Sequence, residues 1–287
     1  MTRYLTLDVF SDTPFGGNPL AVIPDATALP EAALQNIAAE FNYSETTFVY
    51  PPKDPANTAR VRIFTPTMEV PFAGHPTIGT AVALARMGHG PDMVLELGVG
   101  PLDVHATAQT ARFTTTAPLE TLAQPTIAEV SAALTLAPEL IETANHAPVM
   151  ATLGLPFTIT ELTRRDALAA CQPDIAAFRA GNAAYPGALD FAQFVYWRGE
   201  KMLHARMFAP LDNIPEDPAT GSAAATLTAL LAKLTGTDQN ITLMQGEDMG
   251  RPSRITLTTQ SRENLGPAIS VSGSACVMME GEFQFAV

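Results

Sequence analysis

AGHPTIGTAVALA at 73–85 and TGSAAATLTALLA at 220–232 are two versions of one segment, with Gly74 falling on Gly221 147 positions later. Each is a run of Ala, Leu, Val and Thr with almost no charge until Arg86 and Lys233, and Gly88 and Gly236 then supply a stop. The composition predicts helices over about 75–87 and 221–235. A helix apolar on every side must be buried on every side. The approach to each segment also repeats: RIFTP at 62–66 and RMFAP at 206–210, both in strand-like surroundings of alternating and β-branched residues. The exit from each helix repeats as well: LELGVGP at 95–101 beside LMQG at 243–246. Three matches in one order imply two fused copies of one domain rather than a solenoid. Many short strands around a buried helix predict an α+β chain, a barrel-like sheet wrapped on a central helix, twice over.

Around this frame, a further helix is expected over 30–41, with Pro30 in its first turn and Leu34, Ile37 and Phe41 at spacings of three and four. The stretch PLETLAQPTIA at 118–128, with two prolines and no strand pattern, reads as the linker. The domains expected are 1–120 and 121–287, the final strand free to return to the first.

The composition narrows the function. The 287 residues carry a formal net charge of −13, which argues against a nucleic-acid partner and gives no support for an anionic membrane. The apolar start is broken at Asp8, Asp12 and Pro14, unlike a signal peptide, and no run approaches the ~20 apolar residues of a membrane span. Two cysteines, Cys171 and Cys276, fit unpaired thiols in a reducing cytoplasm. No histidine or cysteine spacing suggests a metal. Gly98-Val99-Gly100 lacks the third glycine of a dinucleotide loop, no phosphate-binding loop is present, and Ser222 is not in a nucleophile elbow. No metal and no cofactor are expected.

The candidate chemistry lies at the helix starts. Gly74-His75 and Gly221-Ser222 open the two buried helices, where backbone N–H groups lack internal partners and the dipole favours an anion. His75 and Ser222 read either as caps or as site residues. Glu45, in NYSETTF at 42–48, reads from its surroundings alone as a surface or capping carboxylate. Asp217 either bonds the orphan N–H groups or orients a catalytic group. Glu69 and Glu216 lie close to these motifs and read as loop residues without a role.

The motifs together resemble the PhzF-like phenazine-biosynthesis isomerase family. SETTF at 44–48, FAGHPTIGTA at 72–81 and EDPATGSAA at 216–224 look like its three signature stretches. GGNPLAV at 16–22, QGEDMGRPS at 245–253 and GSACVMMEGE at 273–282 also fit, with Ser274 where a second glycine would be expected after Gly273. The resemblance runs nearly the whole chain. It implies a diaminopimelate epimerase-like fold of two pseudo-symmetric domains with the active site between them, and a homodimer. It places the family's acid/base on Glu45, its histidine on His75, its aspartate on Asp217 and its serine on Ser222. Gly74, Gly221, Asn18, Ser44 and Thr220 are then expected to bind substrate. The best-known member isomerises a dihydro-hydroxyanthranilate. Related epimerases and proline racemases use two cysteines, and Ala73 and Thr220 stand at those positions here. The reading is therefore a cofactor-independent isomerase that moves a proton within a small carboxylate by a single glutamate. Its rivals are a non-catalytic small-anion binding protein and a residual epimerase or racemase.

Overall fold

Short runs with a side-chain period of two become strands whose buried and exposed residues alternate. ARVRIF at 59–64 and DMVLEL at 92–97 show this plainly. The computed structural model describes residues 2–185, 190–263 and 265–284. The chain divides into two compact units, Met1–Thr114 with Val271–Val287, and Thr115–Ser270.

The first unit contains β1 (Arg3–Val9), β2 (Asn18–Ile23), α1 (Glu31–Phe41), β3 (Glu45–Tyr50), β4 (Ala59–Phe64), β5 (Glu69–Val70), α2 (Gly74–Arg86), β6 (Asp92–Leu97), β7 (Gly100–Ala106) and β8 (Thr110–Thr115). The second contains β9 (Glu120–Ala123), α3 (Ile127–Leu134), β10 (Ile141–Glu142), β11 (Val149–Thr152), β12 (Pro156–Leu162), α4 (Arg165–Ala170), α5 (Ile175–Ala184), β13 (Gln193–Arg198), β14 (Leu203–Ala209), β15 (Ile214–Asp217), α6 (Gly221–Thr235), β16 (Asn240–Gln245) and β17 (Ser253–Arg262). The last strand, β18 (Leu265–Glu282), begins in the second unit and supplies the first from Val271 onward.

In the first unit, lateral pairing runs β1–β2–β3–β4–β6–β7–β8–β18 and returns to β1, an eight-strand ring. The steps β2–β3 and β4–β6 are parallel, each bridged by a helix, as parallel neighbours require. The second unit repeats the sequence of pairings as β9–β11–β12–β13–β14–β16–β17, with β12–β13 and β14–β16 parallel. Even the two-residue β5 has its counterpart, since β15 pairs with β14 as β5 pairs with β4. The fold is α+β and diaminopimelate epimerase-like, each unit a barrel-like sheet around its central helix.

Both central helices are buried over nearly their whole length, Gly74–Leu84 in α2 and all but Ser222 of Gly221–Ala232 in α6. Hydroxyls inside such helices need local partners. Thr77 donates back to the Ala73 carbonyl, and Thr226 and Thr228 to those of Ser222 and Ala224. Thr80 and Thr47 bond each other at 2.9 Å, tying α2 to β3. At Gly79 the helix lies so close to the barrel wall that an added Cβ would sit 2.5 Å from Leu20 Cδ2 and 2.7 Å from Val9 Cγ2. The helix α6 closes on Gly236 in the left-handed region, as expected, whereas α2 ends a residue earlier, at Arg86.

Two expectations need correction. Pro30 is the N-cap of α1 rather than part of its first turn. The stretch expected to be a linker at 118–128 holds the strand β9, paired with β11, and then Thr126, which forms a capping box with Glu129 at the start of α3. The strand takes its pairing from the backbone of β11, and the mostly exposed side chains of ETLA leave no alternation to detect.

Candidate active site

Asn18 opens β2, Glu45 opens β3 and His75 is the second residue of α2, so two strand starts and a helix start deliver three polar side chains. Before β2 the chain turns at Gly17 with φ +64°, where a Cβ would lie 2.3 Å from the Val9 carbonyl oxygen. His75 Nδ1 is 3.4 Å from Glu45 Oε2 and 3.4 Å from Asn18 Nδ2. Asn18 is fully buried, His75 is 4% exposed and the Glu45 side chain 16%. Burial pushes the His75 imidazole down to about 3, and a backbone hydrogen bond at Pro19 only partly offsets this. His75 is thus neutral at neutral pH, and the ring that stands 3.4 Å from Glu45 Oε2 is not a cation. Ser44 stands immediately before Glu45, half-buried.

In the second unit Asp217 ends β15, buried, and its Oδ2 accepts a 2.6 Å hydrogen bond from the Thr220 hydroxyl. Gln245, fully buried at the end of β16, locks this turn. Its Oε1 accepts from the Thr220 N–H at 3.0 Å, and its Nε2 donates to the Asp217 carbonyl at 2.8 Å and to Thr220 Oγ1 at 2.9 Å. Thr220, expected at the substrate, therefore has its hydroxyl and its N–H committed to Asp217 and Gln245. Gln245 was visible in the motif at 245–253, but nothing in that stretch tells which turn it holds.

The helix starts are Gly74 and Gly221, and the N-cap residues Ala73 and Thr220 make no side-chain capping bond. His75 and Ser222 occupy the second helical position, so neither is an N-cap. Cys171 is buried, with its thiol pushed up to about 12 by burial, and is no base at neutral pH. Among the described residues, no three His, Cys, Asp or Glu side chains converge as a metal site would require.

The sequence profile of the phenazine biosynthesis-like proteins matches residues 7–281. The chain belongs to the phenazine biosynthesis-like family. It is 37% identical to an uncharacterised isomerase of Mesorhizobium japonicum, over 98% of each chain. It is 34% identical to the trans-2,3-dihydro-3-hydroxyanthranilate isomerase of Pseudomonas fluorescens, over 98% of this chain and 99% of that one. A PhzF-family protein from Bacillus anthracis has the same fold, with a TM-score of 0.87 over 99% of each chain at 23% identity. The chain is an isomerase.

Strand register shows how this phenazine biosynthesis-like isomerase treats its two halves. Ala21, Thr46 and Phe64 form one lateral row in the first unit; Thr158, Gln193 and Phe208 form the matching row in the second. One step back along the strand, Glu45 corresponds to Ala192, and three steps back Asn18 corresponds to Leu155. The polar trio Asn18, Glu45 and His75 thus has Leu155, Ala192 and Ser222 as counterparts. The carboxylate exists in one half alone.

Proposed function

We propose that this isomerase moves a proton within a small carboxylate substrate, with Glu45 as its single acid/base. The observation that carries the reading is the one-sidedness of the repeat: Glu45 is matched by Ala192, and the helix-cap positions where related epimerases carry cysteines hold Ala73 and Thr220. Inverting a stereocentre needs a group on each face of the carbon. One carboxylate is enough for an allylic shift, taking a proton from one carbon while the electron pair moves through the adjacent double bond, then returning it to the far carbon.

In this reading Asn18 holds the neutral His75 beside Glu45. Asp217 orients the substrate, and Ser222 with the backbone at Gly74 and Gly221 receives its carboxylate or developing negative charge. Ser44 is assigned to substrate binding on the motif alone. The cyclic dienoic carboxylate named for the Pseudomonas relatives is the first substrate to try. A homodimer and a cytoplasmic location complete the proposal.

The test is deuterium wash-in, followed by NMR, with trans-2,3-dihydro-3-hydroxyanthranilate and a panel of amino and hydroxy acids in D₂O. Glu45→Gln is expected to lower exchange and turnover by ~10²–10⁴-fold. Turnover within a few-fold of wild type removes Glu45 from the reaction. Inversion at a single carbon, in place of a shift between carbons, supports the epimerase reading instead.

A further inference from the structure

Each half carries the same arginine–glutamate clasp at its helix approach. In the first unit Arg62 donates from Nε and Nη2 to the two oxygens of Glu69, at 2.8 and 2.6 Å, and its guanidinium lies 5.1 Å from the Phe64 ring centre. In the second, Arg206 donates from the same two nitrogens to the two oxygens of Glu216, both at 2.8 Å, with the guanidinium 4.8 Å from Phe208. Glu69 and Glu216, expected to be loop residues without a role, stand instead on β5 and β15. They occupy equivalent places, EVPFAGH at 69–75 beside EDPATGS at 216–222.

The remaining nitrogen, Nη1, anchors each clasp to a helix. Arg62 bonds Glu31 in the first turn of α1 at 2.6 Å. Arg206 bonds the carbonyls of Leu168, Ala169 and Cys171 at the end of α4, at 3.0, 3.1 and 3.0 Å. A planar, permanently charged fork is the side chain suited to this geometry. The side chains of Arg206 and Glu216 are 10% and 15% exposed, so the pair is a largely buried strut rather than a solvated surface contact.

Glu216 is bonded to Asp217 through the chain, and successive side chains on a strand point to opposite sides. On one side Arg206 holds Glu216; on the other Gln245 and Thr220 hold Asp217. We infer that Arg206, acting through Glu216, is a positioning residue that sets Asp217 and the turn into α6. The inference rests on the proposed role of Asp217 in substrate handling.

The first variant is Glu216→Ala, which leaves the three carbonyl bonds of Arg206 in place; Arg206→Lys is the second, retaining charge without the fork. The primary readout is amide hydrogen exchange at Thr220, whose N–H is bonded to Gln245, in the full-length protein. Glu216→Ala is expected to speed it by about tenfold or more while amides in the middle of α6 keep wild-type rates. Exchange within twofold of wild type overturns the inference, whether or not the enzyme turns over any given compound. With trans-2,3-dihydro-3-hydroxyanthranilate as probe, kcat is expected to fall about tenfold or more with KM changed less than threefold, since misplacement costs orientation rather than binding. A purely stabilising role would lower the melting temperature and leave kcat of the folded variant unchanged. Such an outcome, or a fall in kcat without faster Thr220 exchange, also overturns the inference. Glu45→Gln in parallel tests the acid/base reading separately.

Discussion

Acidification from pH 7 to pH 5 is expected to weaken the first unit through His75. Burial holds its folded value at about 3, against an ordinary value of 6.5. The unfolded chain therefore takes up the proton first. Stability from this source is present above the unfolded value and is lost as pH falls toward the folded one. At pH 5 the unfolded imidazole is some thirtyfold more protonated than neutral, so the loss relative to pH 7 is about 2 kcal/mol. Urea unfolding followed by circular dichroism at both pH values, for wild type and His75→Asn, isolates it, because other groups titrate alike in the two proteins. The single tryptophan, Trp197, lies in the second unit and reports that unit separately by fluorescence. Wild type is expected to lose about 2 kcal/mol more than the variant on the circular dichroism signal. Equal losses would refute the reasoning: they would mean that the Glu45 carboxylate, 3.4 Å away, keeps the folded imidazole charged despite its burial.

Gln245→Leu leaves the Thr220 N–H and the Asp217 carbonyl without their buried partner and is expected to cost about 3 kcal/mol, read by Trp197 fluorescence in urea. Gly79→Ala forces a methyl group against Leu20 and Val9 and is expected to cost about 1–3 kcal/mol in the circular dichroism melt of the first unit, with the Trp197 signal unmoved.

The repeated segments at 73–85 and 220–232 carried most of the architecture, because a helix without a polar face has one place to go and the wall around it is built to match. What escaped the sequence depends on pairing across space. Glu69 and Glu216 show no local pattern until β5 lies on β4 and β15 on β14, which brings Arg62 and Arg206 beside them. The strand at 120–123 takes its identity from β11 rather than from its own side chains. The site was legible in its motifs and hardly at all in its chemistry. Glu45 reads as an ordinary surface carboxylate in NYSETTF; the folded chain brings His75 to 3.4 Å from it, with Asn18 bonded to His75 in turn, and the lateral register shows that Ala192 replaces it in the second half.

The strand β18 makes the first unit an interrupted object: residues 115–270 are inserted between its first 114 residues and the strand that completes it. During synthesis, β1 and β8 leave the ribosome long before their shared neighbour does, each with an open edge and the hydrogen-bonding groups of an unfinished ring. Closure must join Arg3 to Glu282, nearly the full length of the chain, which is the slow, non-local kind of contact. The half that carries the glutamate is thus the last to be finished, and a chain stopped short of 271 would hold Glu45, His75 and Asn18 in a wall with one stave missing.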